Sequence, residues 1–357
     1  MLSKPLLRAV LLCGIIYIFM DSLLLKCTHI EGLSEFVIAE LREISNIQIE
    51  SVGLTEVYCS MPINSDISVL YSLKTVVAVY VLVRDTKYNP GYISNHKSIL
   101  GNLIEFVLAG RDAFISYRLS CAGSDSPEVS SIEKYIQEHY KIQPAADADL
   151  EIAIGKVSGD WELSVRITSR PLSVRDYRVA NIPGGMNPTI AYALNSLCRL
   201  DSATSYLNIC SGSGTLLIEA GLAYPDLRLV GFDIDGKHNA LAVQNIKKAG
   251  LIKSVQLKTA DIMDAPELGK FDVIVADLPF GMQIGKDSDL GALYQSFVNY
   301  CEQNLVSGGR LAVYTTEHEL FRGIVSGSQL HIVHVVDLKV VTSINSYIYP
   351  QIVVCEK

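Results

Sequence analysis

The carboxyl-terminal half of the sequence alternates strand patterns with helix patterns, and this order limits the possible folds more than any other feature. Beginning at Thr189, short apolar runs alternate with longer runs whose apolar residues recur every three or four positions. The segments are helix TIAYALNSLCRL, strand SYLNIC, helix TLLIEAGLA, strand LRLVGFDID, helix KHNALAVQNIKKAG, and strands VQLKTADI and FDVIVADL. Strands joined by helices run parallel, so the sequence predicts a doubly wound α/β sheet.

Two long β-patterns, HIVHVVDLKVV and SYIYPQIVVCE, close the sequence after a further helix and strand. They are separated by a short turn rather than by a helix. Adjacent strands without a crossover pair antiparallel. We therefore expect an antiparallel pair at the carboxyl-terminal edge of the sheet.

The amino-terminal half has a different pattern. Residues 23–170 mix β-rich runs such as VVAVYVLVR with helical segments such as SPEVSSIEKYIQEHY, which predicts an α+β domain. Residues 171–190 collect prolines, a Gly-Gly pair and charges without periodicity, as in a linker or an elaborated loop. Residues 191–357 then form the α/β domain.

Residues 1–22 contain the run LLRAVLLCGIIYIFM, which has the charge and apolar core of a signal peptide but no small-residue cleavage site after it. The run is also too short to span a bilayer comfortably. We expect an extension packed on the domain, or a misplaced start codon, and no stable membrane association. Eight cysteines without a C-x-x-C pair argue against a zinc site or a redox dithiol and favour reduced thiols in the cytoplasm.

The net charge of the protein limits where a nucleic acid could bind. The net charge is −8, so a nucleic-acid partner would have to bind at a local basic patch. The best candidate is RITSRPLSVRDYRV, in which Arg170, Arg175 and Arg178 could follow RNA phosphates, with Arg166 beside them. An ordinary salt-bridged surface is the alternative for each of these arginines.

Acidic residues close three successive strands of the predicted sheet: Asp233, Asp261 and Asp277. Because the carboxyl ends of parallel strands share one edge, these carboxylates should point into one crevice. Their mutual repulsion is unfavourable unless a ligand offers hydrogen-bond donors, as a nucleoside does with two ribose hydroxyls and an amine. Asp235 is better explained as a helix N-cap.

The turn NICSGSGT follows the first strand and opens a helix, so that Gly212 and Gly214 allow the backbone to approach a ligand at the helix amino terminus. The turn is not a dinucleotide fingerprint, because Leu217 stands at the position of the third glycine. It also lacks the lysine of a P-loop.

These motifs resemble a known family. NICSGSGTLLIEA, VGFDID, TADI and DLPFG, in this order, are similar to the motifs of class I S-adenosylmethionine-dependent methyltransferases that act on exocyclic amines. With RDYRVANIPGGMNPTIAYAL they resemble the THUMP-containing RNA guanosine-N2 methyltransferases. The resemblance implies a Rossmann-like domain with an antiparallel carboxyl-terminal edge, preceded by a THUMP-like RNA-binding domain. It covers the amino-terminal half only loosely.

The resemblance also implies how S-adenosylmethionine would bind. Gly212, Ser213 and Gly214 would line its methionine, Asp233 would hold the ribose, and Asp261 would meet the adenine. Asn208 stands where the family usually has an acidic residue for the ammonium group, so that one charge is lost. Two further residues look like pocket residues by resemblance, although they could instead cap the following helix: Asn187 and Thr189.

The stretch DLPFG suits methylation of an amine. Asp277 and the carbonyl of Leu278 can accept the amine hydrogens, Pro279 keeps the turn rigid, and Phe280 offers a face for stacking the base. A carboxylate only accepts, which matches the two donors of guanine at N1 and N2, whereas asparagine suits adenine; some adenine enzymes nevertheless use aspartate. The alternative is that Phe280 belongs to the core and Asp277 caps a loop.

The sequence therefore predicts a metal-independent enzyme that methylates guanosine N2, with tRNA as the expected substrate. The alternatives are guanine-N2 methylation of ribosomal RNA, adenine-N6 methylation of DNA, and a non-catalytic RNA-binding protein whose cofactor site has decayed. A small activator subunit is left open as a partner.

Overall fold

The computed structural model describes residues 22–85, 87–92, 94, 96–121, 126–279 and 290–357. The amino-terminal run up to residue 21 and Phe280 lie outside these residues. The chain divides into two compact units. The amino-terminal unit consists of the residues up to His29 and of Ser34–Leu172, and the carboxyl-terminal unit of Ile30–Leu33 and Ser173–Lys357. No helix among the described residues is long and apolar enough to cross a lipid bilayer.

The amino-terminal unit is an α+β structure on one eight-stranded sheet. Its strands are β1 (Ser22–Thr28), β2 (Gln48–Val52), β3 (Glu56–Pro62), β4 (Ala78–Asp85), β5 (Ser116–Cys121), β6 (Gln143–Pro144), β7 (Leu150–Val157) and β8 (Asp160–Arg166), in the order β2-β3-β1-β4-β8-β7-β5-β6. Its helices are α1 (Ser34–Glu43), α2 (Gly101–Leu108) and α3 (Pro127–Tyr140), with a 3-10 turn at Ile67–Ser72 and a π turn at His96–Leu100. β5 runs parallel to β6 and β7, and the other neighbours are antiparallel.

Helix α3 illustrates how the local sequence defines an element in this unit. Ser126 precedes it with extended backbone and accepts a hydrogen bond from the amide of Val129 at 3.3 Å, while Pro127 occupies the first turn. The helix buries Val129, Ile132 and Ile136 along one face. The capping sequence and the apolar spacing therefore agree on where this helix begins and how it packs.

The carboxyl-terminal unit confirms the predicted doubly wound sheet. Its strands are β9 (Ser205–Ile209), β10 (Arg228–Asp233), β11 (Val255–Thr259), β12 (Phe271–Asp277), β13 (Leu305–Thr315), β14 (His331–Asp337), β15 (Val340–Ser343), β16 (Ser346–Ile348) and β17 (Gln351–Glu356). Its helices are α4 (Pro188–Ser196), α5 (Thr215–Ala223), α6 (Gly236–Lys248), α7 (Leu290–Asn304) and α8 (His318–Val325), with a 3-10 turn at Ile262–Asp264. The main sheet has the order β11-β10-β9-β12-β13-β17-β14, and its first five strands are parallel.

The end of the chain confirms the expected antiparallel pair and adds the order of its two strands. β14 and β17 pair antiparallel as expected, but β17 lies inside the sheet between β13 and β14, so only β14 forms the edge. Five of the six residues of β17 are buried, whereas most of β14 is exposed, and burial places β17 inside. The residues between them form a separate two-stranded β15–β16 hairpin.

The segment predicted as a linker or loop packs on the carboxyl-terminal unit from Ser173 onward. Tyr177 is buried beside Ile218 and Ile246, and its hydroxyl donates to Glu219 Oε1 at 2.7 Å. The amide of Ala180 donates to Asn245 Oδ1 at 2.9 Å. This segment is therefore part of the fold of that unit.

Candidate active site

A cavity of about 1430 Å³ opens at the carboxyl ends of the parallel strands. Its wall contains Asn208, Asp233, Asp261 and Asp277, each of which the sequence places at or near the end of a different strand. The structure thus brings together the acidic strand ends, as the parallel topology requires.

The glycine-rich turn between β9 and α5 forms one side of the cavity. Cys210, Gly212 and Gly214 have positive φ angles of 55°, 51° and 81°. A Cβ at Gly212 would lie 3.1 Å from Ile182 Cδ1, so that position has little room for a side chain. Gly214 is the N-cap of α5, which has no side-chain cap, and the amide end of this helix faces the cavity with Ser213 and Thr215 in its wall.

Asn208 is buried at the end of β9, and its amide group is oriented by the neighbouring backbone. Nδ2 donates to the carbonyls of Ile209 at 3.1 Å and Val275 at 3.4 Å. Oδ1 is buried and has no partner among the described residues. A carboxylate here would face the two carbonyl oxygens, whereas the amide satisfies them and leaves one acceptor unused beside the cavity.

Asp233 is held by the turn that it faces. Its Oδ2 accepts from the amide of Gly212 at 2.8 Å, and its Oδ1 accepts from the amide of Asp235 at 3.0 Å. Nδ1 of His238 lies 3.3 Å from Oδ1 and Nε2 lies 3.8 Å from Asp235 Oδ2. His238 was not predicted from the sequence, although its place in the first turn of α6, shortly after Asp233, is a signal that could have identified it. Asp235 caps α6 as predicted.

Asp261 combines a structural contact with a place in the cavity wall. It caps the Ile262–Asp264 turn, with Oδ1 accepting from the amide of Met263 at 2.9 Å. Its Oδ2 makes no hydrogen bond to the residues described in the structure. One carboxylate oxygen therefore faces the cavity as an available acceptor.

Asp277 ends β12 without a hydrogen bond to the described residues. Burial raises the pKa of its carboxyl from the ordinary 3.8 to about 7. Next to it, Leu278 donates its amide to the carbonyl of Tyr314 at 3.1 Å. The carbonyl of Pro279 accepts from Tyr294 at 3.2 Å, and the Tyr294 hydroxyl lies 2.6 Å from Thr315 Oγ1. The DLP turn is therefore fixed at both peptide groups, while the carboxylate is left for a ligand.

Asn187 and Thr189 form a helix cap, which was the alternative to their lining the cofactor pocket. Asn187 is the N-cap of α4, and its Oδ1 accepts from both the amide and the hydroxyl of Thr189 at 2.9 Å. Thr189 is fully buried and absent from the cavity wall, so the assignment of Thr189 to the cofactor pocket is corrected. Asn187 does line the cavity.

The arginines of the predicted RNA track differ in their exposure. Arg175 is nearly buried, and its Nε lies 3.0 Å from Oε1 of the buried Glu219, so the prediction that Arg175 contacts RNA phosphate is corrected. Arg166 is buried as well and binds Glu151 Oε2 at 2.5 Å. Arg178 is half-buried, with Nη2 near Gly185, and Arg170 is exposed.

Two parts of the cavity wall were not predicted from the sequence. One is the loop Ile182–Met186, and the other is the β15–β16 hairpin, which contributes Val340, Thr342, Ser346, Tyr347 and Ile348. The loop has a turn at Gly184 and Gly185 but does not follow a strand of the sheet, and the hairpin has no acidic residue at a strand end. Only the folded chain brings them to the site.

The sequence of the chain is similar to those of known methyltransferases. Residues 175–343 match the family model described as UPF0020, the RMKL-like methyltransferase domain. The tRNA (guanine(6)-N2)-methyltransferase of Thermus thermophilus is 30% identical over 198 residues, which are 55% of this chain and 56% of that protein. The mouse U6 snRNA (guanine-N(2))-methyltransferase THUMPD2 is 28% identical over 156 residues, 43% of this chain. This chain spans only 28% of the mouse protein's length.

Solved structures share the fold over nearly the whole chain. The crystal structure of TrmN from Thermus thermophilus has a TM-score of 0.71 at 22% identity and covers 94% of this chain and 99% of that one. SMU.472, a putative methyltransferase complexed with SAH, has a TM-score of 0.66 at 15% identity and covers 94% and 98%. The resemblance to class I methyltransferases and the predicted fold class of the carboxyl-terminal unit are confirmed, and the THUMP-like character of the amino-terminal unit stays a prediction.

Proposed function

We propose that this chain, whose residues 175–343 match the RMKL-like methyltransferase domain, transfers a methyl group from S-adenosylmethionine to the exocyclic N2 amine of a guanosine in RNA. The observation that carries the proposal is Asp277. Its carboxylate has a raised pKa and no hydrogen-bond partner among the described residues, and it lies in the same cavity as the glycine turn and the other acidic strand ends. The named activities of the Thermus and mouse relatives support this substrate class.

The residues present fit the cofactor. The unpartnered Oδ1 of Asn208 can accept from an ammonium group, and the positive-φ glycines leave room for a ligand chain along the turn. Asp233 retains lone pairs for ribose hydroxyls, and Asp261 Oδ2 can accept from an adenine amine. When bound, S-adenosylmethionine supplies an electrophilic methyl group on its sulfonium.

The chemistry of the amine depends on acceptors. The lone pair of guanine N2 is delocalised into the ring, so the enzyme has to orient the amine and accept its hydrogens. Asp277 and the carbonyl of Leu278 supply two such acceptors on a turn fixed by Tyr314 and Tyr294. As N2 gains the methyl group it loses a proton, and a carboxylate with a pKa of about 7 can accept it at neutral pH. Stacking by Phe280 remains part of the proposal, since that residue lies outside the described ones.

The kind of RNA is a finer proposal. We favour tRNA in the cytoplasm, by analogy with the Thermus relative, and the amino-terminal unit as a THUMP-like grip on the RNA, with Arg170 as the exposed arginine of the RITSRPLSVRDYRV segment. Nuclear U6 snRNA would be the substrate if the chain acts like the mouse relative. A small activator subunit stays a prediction, which co-purification from the native cell tests.

The test is methylation of RNA by the purified full chain. Unmodified tRNA, ribosomal RNA and small nuclear RNA are incubated separately with S-adenosylmethionine carrying a labelled methyl group, and the nucleosides are identified by mass spectrometry. We expect N2-methylguanosine from wild type and none from Asp277→Ala. Methylated adenine would overturn the guanine assignment. Cofactor binding without methylation of any RNA or DNA would support the non-catalytic alternative.

A further inference from the structure

The β15–β16 hairpin is anchored at its base to the rest of the carboxyl-terminal unit. The amide of Leu338 donates to the carbonyl of Pro350 at 3.0 Å, and the amide of Lys339 donates to the carbonyl of Glu31 at 3.2 Å. The Lys339 ammonium also lies 3.4 Å from Glu31 Oε2. The hairpin therefore has a fixed base and a free end.

The hairpin contributes side chains to the cavity wall and exposes apolar side chains beside it. Val340, Thr342, Ser346 and Ile348 lie in the wall of the cavity that contains Asp277. At the free end Ile344 is 93% exposed, the largest exposed fraction among the large apolar side chains described. Tyr347 lies in the cavity wall and is nonetheless 45% exposed, with the Lys339 ammonium 4.8 Å from its ring centroid. An apolar tip and an aromatic ring thus flank the cavity.

A guanine in an RNA helix cannot reach such a cavity while it is stacked. Enzymes that act on a base inside a duplex move that base out of the stack, which costs a few kcal/mol of lost stacking and pairing. Other nucleic-acid-binding proteins insert apolar side chains between base steps, and aromatic rings stack on unpaired bases. The hairpin has one side chain of each type beside the cavity.

We propose that the β15–β16 hairpin holds the RNA strand next to the target guanosine. Ile344 enters the space that the target base leaves, and Tyr347 stacks on a base that flanks it. This inference rests on the proposed function and adds a second contact site to it. These two hairpin side chains recognise a place in an RNA helix where two neighbouring bases are no longer stacked, and they do not select a particular base.

The composition of the hairpin favours RNA as its occupant over a partner protein. The segment LKVVTSINSYIY contains one lysine and no aspartate or glutamate, in a chain with 38 acidic and 30 basic residues. Hydroxyl and amide side chains lie between its apolar residues and can bond to phosphate and sugar oxygens.

The first experiment compares Ile344→Ser and Tyr347→Ala with Ile252→Ser in the full chain. Ile252 is 48% exposed and absent from the cavity wall, so Ile252→Ser controls for the loss of an exposed isoleucine. We expect Tyr347→Ala to lower kcat/KM for unmodified tRNA by about five- to a hundredfold, the equivalent of one lost stacking contact. Tyr347→Phe should restore it. S-adenosylmethionine affinity and melting temperature should match wild type.

The second experiment uses two RNA duplexes that differ only opposite the methylated guanosine, which is either paired or faces an abasic site. If Ile344 fills the space left by the base, Ile344→Ser should impair methylation of the paired duplex at least fivefold more than that of the abasic one. Equal effects on both duplexes, or no effect beyond that of Ile252→Ser, would overturn the inference. If wild type methylates no RNA at all, the proposed function fails first, and this inference fails with it.

Discussion

The pKa of Asp277 should determine how the rate of methylation depends on pH. The ionised form accepts hydrogens from the amine, and burial holds the pKa near 7. We therefore expect kcat/KM for RNA to rise with pH and to level off above an apparent pKa near 7, because the free enzyme must ionise this group. Rate measurements between pH 5.5 and 9 at saturating cofactor check this. A flat profile across that range would exclude Asp277 as the titrating group.

The same pKa has a consequence for stability. The folded pKa lies above the ordinary 3.8, so folding disfavours the ionised form, and stability falls as pH rises from about 4 to about 7. Asp277→Asn removes this penalty and should raise the free energy of unfolding at pH 8 by roughly 1 to 3 kcal/mol, but not at pH 4.

The activity of Asp277→Asn on guanine should fall on the order of a hundred- to a thousandfold, because the amide adds a donor where guanine donates. Calorimetry and turnover on the same preparations test both parts; an active Asp277→Asn variant would contradict the guanine assignment.

We expect Arg175 to stabilise the carboxyl-terminal unit through its ion pair with Glu219 and not to bind RNA. Arg175→Glu would place a second carboxylate beside the buried Glu219, and breaking such a pair costs about 3 to 5 kcal/mol. We expect the melting temperature of the carboxyl-terminal unit to fall by several degrees, with a loss of RNA binding that only reflects unfolding. Arg170→Glu, at an exposed position, is the informative variant, and we expect it to weaken RNA binding at an unchanged melting temperature.

At the scale of elements, Asp272 ties the start of β12 to β9. Its Oδ2 accepts from the amides and hydroxyls of Thr204 and Ser205 at 2.8 to 3.0 Å. Desolvation raises the pKa of this carboxyl, but these bonds outweigh it and lower the pKa overall. The stabilisation is therefore present above about pH 4 and is lost as pH falls through the folded pKa.

Asp272→Asn should accordingly reduce the free energy of unfolding by roughly 1 to 3 kcal/mol at pH 7 and by less near pH 3. Denaturant titrations at both pH values measure the difference. Asp226→Asn, at an exposed loop position, is the matched control and should change stability little. A loss that is equal at both pH values would show that the charge of Asp272 is not what stabilises β12.

The sequence could predict those elements whose pattern is local. Alternating strands and helices determined the parallel sheet, and the acidic residues at the strand ends determined where Asp233, Asp261 and Asp277 meet. The inward orientation of Arg175 depends on Glu219, which lies on α5, the third element after Arg175 in the chain. The β15–β16 hairpin had the same β-pattern as its neighbours, because strand propensity does not specify the partner of a strand.

At the scale of the whole molecule, the carboxyl-terminal unit should bind S-adenosylmethionine without most of the amino-terminal unit, since all residues proposed for the cofactor lie within it. A fragment of residues 173–357 should bind with an affinity close to that of the full chain. A fragment starting at Ile182 loses the buried Tyr177 and the bond between Ala180 and Asn245, so it should melt at a lower temperature. Calorimetry of both fragments with and without cofactor measures the difference.

The carboxyl-terminal unit is discontinuous, and this bears on how the protein is made. The strand bridge from Glu31 to Lys339 joins residues that lie far apart in the sequence. Contacts of such high sequence separation form late, because the intervening chain has to be ordered before its ends meet. On a ribosome, Glu31 emerges long before Lys339 and lacks this contact until the residues between them have been synthesised. One wall of the cavity therefore becomes anchored only after Lys339 has emerged, so nascent chains that stop before Lys339 carry an incomplete site.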